Sequence, residues 1–138
     1  MPSLRPPKPV AQWTDPRHRR GYAGERAAMV HLLRLGWRIE AHGFRLGHHD
    51  LDLVARRGNL VAFIEVKTRF SHRFGRAVEA VGPRKQVVLA RLAELWRVRF
   101  GLPSDRYRFD VIAVEAFGGP STSPQVTHIE GAWRGVEK

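Results

Sequence analysis

A chain of 138 residues, 43% of them hydrophobic, can bury a core as one domain, and its lack of cysteine excludes disulfides and thiolate metal sites and suits the cytoplasm. Its 24 Lys and Arg against 13 Asp and Glu leave a formal charge of +11, which favours a polyanionic partner through phosphate contacts and counterion release. No apolar run approaches a membrane span, the N-terminus lacks a signal-peptide apolar stretch, and no strongly basic amphipathic helix suits anionic lipid, so nucleic acid rather than a membrane is the expected partner.

Residues 1–17 carry five prolines and few apolar side chains, which predicts a flexible, weakly basic arm ahead of a single domain over residues 18–138. From Arg20 to Leu35 the apolar residues Ala28, Met29, Leu32, Leu33 and Leu35 recur at helical spacing, and Gly36 supplies a stop. Glu25 precedes Met29 by four positions and Leu32 by seven, so its carboxylate projects from the apolar face. It reads either as a first-turn residue stabilised by the helix dipole or as an acid directed at a site. Trp37 to Ala41 alternates as a first strand, followed by a loop through Gly43 and Gly47. Leu51 to Arg56 and Leu60 to Lys67 read as a hairpin, with Arg57, Gly58 and Asn59 supplying the turn. Thr68 to Gly75 is polar and basic and reads as a loop.

A second helix runs from Pro83 to Arg99 on the stripe Val88, Leu89, Leu92, Leu95 and Trp96, and Gly101 closes it. Lys85 and Gln86 lie in its first turn, where exposed amides favour phosphate. Tyr107 to Val114 alternates as a strand, Phe117 to Gln125 is a loop, and Val126 to Glu130 is a short last strand. The order αβββαβ, with one strand added, predicts an α/β domain in which helices flank a mixed sheet.

The chemistry concentrates in the hairpin. With Gly58-Asn59 as a two-residue turn, Asp52 falls opposite Glu65 on one face, with Cβ atoms about 5 Å apart. Lys67, two residues beyond Glu65, points to that face too. Two carboxylates facing each other in a mostly apolar sheet repel and lose hydration, so they persist only beside a cation. A hard divalent ion such as Mg²⁺ suits the place, and an ammonium beside it can hold or polarise a water for attack on phosphorus. The same three residues also fit a solvated face with a cross-strand salt bridge. Lysine usage bears on the choice. The chain has four Lys, of which Lys8 and Lys138 lie in the tails, so Lys67 and Lys85 stand alone in an interior that otherwise uses Arg. Lysine offers a compact ammonium whose pKa its surroundings can move. Arg56 and Arg57 at the hairpin tip, and Arg69, Arg73 and Arg76 in the following loop, are candidate phosphate contacts. His48 and His49 beside Asp50 and Asp52 raise a His/Asp site for Zn²⁺ or Mn²⁺, against the simpler reading of two loop histidines.

The αβββαβ order together with Glu25, Asp52 and Glu65-Val66-Lys67 resembles the PD-(D/E)XK nuclease superfamily, which has the restriction-endonuclease-like fold. More closely, the chain is similar to the small bacterial YraN-type family, whose core is similar to archaeal Holliday-junction resolvases. The match spans residues 21–133 in separate blocks. Gly21, Gly24-Glu25, Ala28, Leu32 and Gly36-Trp37 fit the opening helix. Asp50 to Ala55 fits a Glu-Ile-Asp-Leu-Ile-Ala block, and Glu65 to Arg69 fits the signature strand end. Phe74-Gly75, Ala77, Glu79 to Val81 and Lys85 fit the approach to the next helix. Arg108 to Val111, His128-Ile129 and Ala132-Trp133 fit the tail. The chain departs from the family with His49-Asp50 in place of Gly-Glu and Gly43 in place of Asn. Asp50 keeps the charge but shortens the reach by one methylene.

The resemblance implies that Asp52, Glu65 and the Val66 carbonyl bind Mg²⁺ or Mn²⁺. It implies that Lys67 positions or activates the attacking water, that Glu25 is a supporting acid, and that Lys85 or Gln86 orients a phosphate or water. The implied activity is endonucleolytic cleavage of DNA rather than RNA, branched or damaged DNA included, by a homodimer that matches the two-fold symmetry of a junction. Two other functions suit the same chain. One is a catalytically inactive nucleic-acid-binding module; the other is a partner subunit of a nucleic-acid-processing complex.

Overall fold

The computed structural model describes residues 16–69, 81–115 and 123–133. Most of the proline-rich arm, the loop carrying Arg73 and Arg76, and most of the loop before the last strand lie outside these residues.

Helix α1 (Pro16–Arg34) begins inside the stretch assigned to the arm. It stops where Gly36 predicts. Gly36 sits at φ +86°, and its N–H donates to Leu33 O while the Trp37 N–H donates to Leu32 O at 3.0 Å. This is a Schellman closure, which needs a left-handed residue that glycine adopts without a Cβ penalty. Strands β1 (Arg38–Leu46), β2 (His49–Arg57) and β3 (Leu60–Arg69) form an antiparallel meander. Helix α2 (Pro83–Phe100) then crosses to β4 (Arg106–Glu115), which pairs parallel with β3, and β5 (Gln125–Trp133) pairs antiparallel with β4. The sheet order is β1-β2-β3-β4-β5. The chain is therefore a mixed α/β domain with an αβββαβ core and one added edge strand.

Side-chain alternation divides the core between the two faces. Ala62, Ile64, Ile112 and Val114 gather with Ala28 and Leu32 of α1, whereas Val61, Phe63, Phe109 and Val111 gather with Leu89, Leu92 and Trp96 of α2. A sheet buried on both faces needs apolar residues at both parities, which is why Leu60 to Ile64 is an unbroken apolar run. Helix α1 lies directly on the end of β3: a Cβ at Gly24 would collide with Thr68 Oγ1 and come within 3.0 Å of the Thr68 Cβ. Among the described residues no helix is long and apolar enough to cross a membrane.

Two strands outrun their sequence patterns. β1 continues past Ala41 to Leu46 and turns into β2 through Gly47-His48, a hairpin where Gly43 and Gly47 predict a loop. A register shift between Ile39 and Ala41 puts the alternation out of phase there. β5 extends to Trp133 because a second irregularity, between Phe109 and Val111 of β4, accommodates Gly131 at φ +59°.

Candidate functional site

The hairpin has the expected register, Arg57 opposite Leu60, but the ladder ends at Leu53 opposite Ile64. Asp52 and Glu65 thus lie one step beyond the last pair, where the strands part. In place of a ladder bond the Val66 N–H donates to Asp52 Oδ2 at 2.8 Å. The other side of β2 is also interrupted. Gly43 falls level with Asp52, between the pairs His42–Leu53 and Phe44–Leu51, at φ +72°. Glycine and asparagine both enter this conformation readily, so the departure from Asn at this position preserves the backbone.

Glu65 is 5% exposed. Its Oε1 accepts from Lys85 Nζ at 2.6 Å and lies 3.4 Å from Lys67 Nζ. Its Oε2 is buried without a hydrogen-bond partner. Burial pushes the Asp52 carboxyl well above the usual carboxylate range; the charges of Glu65 and Glu25 push it further, against the Val66 N–H. Burial also lowers the Lys67 pKa, helped by the neighbouring Lys85 ammonium, while Glu65 opposes the shift. Burial acts on Lys85 in the same sense, but its hydrogen bond to Glu65 outweighs that and holds the ammonium charged. Two lysines share one carboxylate, and the loss of charge is eased at Lys67 alone.

Helix α2 brings Lys85 to this point. Its N-cap, Gly82, offers no side-chain cap, and the first turn holds no acid. Gln86 turns back instead, its Nε2 donating to Val81 O at 3.0 Å, so it fastens the helix start. Glu25 approaches from α1, with Oε2 in contact with His42 Nε2.

Arg56 and Arg57 do not gather with the carboxylates. The turn of a hairpin lies at the opposite end from its opening, and five residues of strand separate Asp52 from Arg57 by about 17 Å. Arg56 is buried, with Nε on Glu40 Oε1 at 2.5 Å and its two terminal nitrogens on Asp105 at 2.5 and 2.9 Å. A buried guanidinium held on all three nitrogens in this way fastens β2 to Glu40 and to the start of β4, a structural rather than a phosphate-binding placement. Arg57 is exposed and lies over the Trp37 ring, 4.4 Å from its centroid. Arg69 ends β3 two residues beyond Lys67. His48 and His49 are exposed, and Asp50 lies 3.7 Å from Arg45.

Among the described residues no three His, Asp or Glu side chains are arranged to hold a metal ion. A cation at the parted strands would therefore depend on Asp52, Glu65, the Val66 carbonyl and added oxygen ligands. That set fits a hard ion such as Mg²⁺, which uses one or two carboxylates and completes its shell with water and phosphate. The buried, unpartnered Glu65 oxygen and the mutual repulsion felt at Asp52 are what such an ion would relieve.

Without a cation, this arrangement costs stability. A carboxyl whose pKa is raised by folding stabilises below the ordinary carboxylate range and loses that contribution as pH rises through its folded value. In chelator at pH 8, Asp52→Asn is expected to stabilise the chain by about 0.5–2 kcal/mol, as stabilising substitutions commonly do, and to flatten this pH dependence. Urea unfolding of both proteins measures it; an Asn variant no more stable than wild type would remove the repulsion from the account.

Residues 24–114 match the model of the uncharacterised protein family UPF0102. The chain belongs to UPF0102. It is 45% identical over 95 residues to a UPF0102 protein of Symbiobacterium thermophilum, covering 69% of this chain and 80% of the relative. It is also 40% identical over 118 residues to a UPF0102 protein of Mycolicibacterium vanbaalenii, covering 86% of this chain and 96% of the relative. A UPF0102 protein of Frankia casuarinae is 41% identical over 114 residues, covering 82% of this chain and 94% of the relative. UPF0102 is the YraN-type family that the residue blocks resemble. The UPF0102 match contains Glu25, Asp52, Glu65, Lys67 and Lys85.

Two features of this UPF0102 chain carry little signal in its sequence. His42 lies before Gly43, where the pattern predicts a loop, so nothing local places it beside Glu25. Asp110 gave a clearer signal, a charged residue inside the apolar run Phe109 to Val114. It is fully buried and accepts hydrogen bonds from Arg108, His128 and the Gly131 N–H.

Proposed function

We propose that this UPF0102 protein is a divalent-metal-dependent endonuclease that hydrolyses phosphodiester bonds in DNA, branched or damaged DNA included. The observation that carries the reading is the parted end of β2 and β3, where Asp52 and Glu65 stand together, a buried carboxylate oxygen lacks a partner, and two lysines are within reach. The resemblance of Glu25, Asp52 and Glu65-Val66-Lys67 to the PD-(D/E)XK pattern supports it. Asp52, Glu65 and the Val66 carbonyl would hold Mg²⁺ or Mn²⁺, which when bound supplies positive charge to the phosphoryl group and lowers the pKa of a water.

The chain's own residues do the rest. Lys67, its pKa lowered by burial, orients the attacking water and can accept a proton more readily than an exposed lysine. Lys85 and the uncapped first-turn amides of α2 offer donors to a phosphate oxygen. The net charge of +11 draws the DNA backbone to the protein. A homodimer would present two such centres to the two-fold symmetry of a junction.

Calorimetric titration with Mn²⁺ tests the assignment. Asp52→Ala and Glu65→Ala should each bind at least about tenfold more weakly than wild type, the lower end of what altered metal sites lose. Unchanged affinity in both variants would show that the site is wrong.

One observation favours a second reading, a nucleic-acid-binding module that does not cleave: Lys67 and Lys85 already balance the charge of Glu65. That module would bind DNA in a salt-sensitive manner without metal-dependent cleavage, and binding indifferent to salt would count against it.

A further inference from the structure

We propose that His42 is a positioning residue that holds the Glu25 carboxylate close to Asp52, so that its negative charge acts on the cation position from the α1 side without joining the ligand set. The inference rests on the nuclease reading above and adds to it a residue outside the Glu25, Asp52, Glu65 and Lys67 pattern.

Three contacts locate the pair. Gly24 of α1 touches Thr68 near the end of β3, and the next residue, Glu25, touches His42 of β1. His42 in turn pairs with Leu53, the neighbour of Asp52. The strands β1 and β3 flank β2 and lie about 10 Å apart, twice the usual strand spacing. The helical turn at residues 24 and 25 therefore crosses β2 near Asp52, from the end of β3 to the β1 position opposite Leu53. Independently, the Glu25 charge is among those that push the Asp52 carboxyl upward.

A carboxylate close to another needs a reason to stay. Glu25 is near the surface, with its side chain 18% exposed, and rotation towards water would relieve its repulsion from Asp52. His42 opposes that rotation. Its side chain is 5% exposed, and the short, stiff imidazole presents Nε2 at a fixed point on Glu25 Oε2. Gly43 alongside it takes the positive φ that interrupts the β1–β2 ladder level with Asp52. A hydrogen-bonded pair that fixes a charge beside the ligands is an outer contact of the kind that tunes metal affinity from outside the coordination shell.

The test compares Mn²⁺ affinity by calorimetry, with melting temperatures alongside, for wild type, His42→Ala, His42→Gln, Glu25→Ala and the double variant His42→Ala/Glu25→Ala. His42→Ala should weaken Mn²⁺ binding by about 10–100-fold. His42→Gln, whose amide nitrogen can reach the place of Nε2, should restore most of the affinity. The double variant should bind no more weakly than Glu25→Ala, because the two residues act as a unit. If His42→Ala fails to fold, His42→Gln against Glu25→Ala and wild type carries the comparison. Wild-type affinity in His42→Ala, additive losses in the double variant, or a folded His42→Gln without rescue would each overturn the proposal. Binding that requires Asp52 and ignores His42 would leave the nuclease reading standing; a wild type that binds no Mn²⁺ would remove both.

Discussion

Lys67→Met is expected to slow metal-dependent DNA cleavage by about 10²–10⁴-fold, the usual contribution of a positioned proton-transfer group. Mn²⁺ affinity should stay unchanged or tighten, because the substitution removes a positive charge 3.4 Å from Glu65 Oε1. Methionine keeps most of the stem's volume in a side chain that is only 16% exposed, so packing should survive. Arginine should not rescue the activity, since a guanidinium stays protonated and a lysine whose pKa is lowered by burial does not hold its proton as firmly. Single-turnover cleavage and calorimetry separate the two effects. A parallel loss of Mn²⁺ affinity would recast Lys67 as a structural counterion, and undiminished cleavage would take it out of the chemistry.

Asp110→Ala is expected to destabilise the fold by about 3–5 kcal/mol, the range for removing one partner of a buried ion pair. Asp110 is completely buried and serves two strands at once. It accepts from Arg108 Nε at 2.8 Å and Nη2 at 2.9 Å on its own strand, and from His128 Nε2 at 2.8 Å and the Gly131 N–H at 3.0 Å on β5. These bonds fasten β5 where the β4–β5 ladder is irregular, and alanine would leave the buried donors without an acceptor. A domain with about 5–15 kcal/mol of total stability would lose a large part of it.

The pH dependence has a definite sign. Burial alone would raise the Asp110 carboxyl, but hydrogen bonds from His128, Arg108 and Gly131 outweigh it and hold the pKa below the usual carboxylate value. A carboxyl lowered by folding stabilises above the ordinary carboxylate range and loses that contribution as pH falls through its folded value. Urea unfolding from pH 7 down to pH 3 should therefore show a steeper acid loss for wild type than for Asp110→Ala. Equal slopes, or a loss under about 1 kcal/mol at pH 7, would contradict the network's role.

Local chemistry made part of this structure legible in the sequence. Gly58-Asn59 between two apolar runs fixes the hairpin register, and that register brings Asp52 level with Glu65. Gly36 ends α1, and Pro83 and Gly101 bound α2, because glycine and proline act through their own backbone. The illegible parts depend on distant partners. Arg56 reads as a surface cation at a hairpin tip, yet Glu40 and Asp105, which bury it, lie 16 and 49 residues away. The strand that carries His42 is hidden by an irregularity near Ala41 and by Gly43, which reads as a breaker but continues the strand at positive φ. The parting of β2 and β3 at Asp52 is likewise invisible to periodicity, because it depends on a side chain accepting the Val66 N–H in place of a ladder bond.

The measurement that bears most directly on the central claim compares wild type and Glu65→Ala, purified identically, on linear, single-stranded, flap and four-way-junction DNA with Mg²⁺ or Mn²⁺. The predicted result is metal-dependent cleavage by wild type and none by the variant, with the preferred substrate naming the DNA structure recognised. Equal cleavage by both proteins, or cleavage by neither, would contradict a nuclease centred on Asp52 and Glu65.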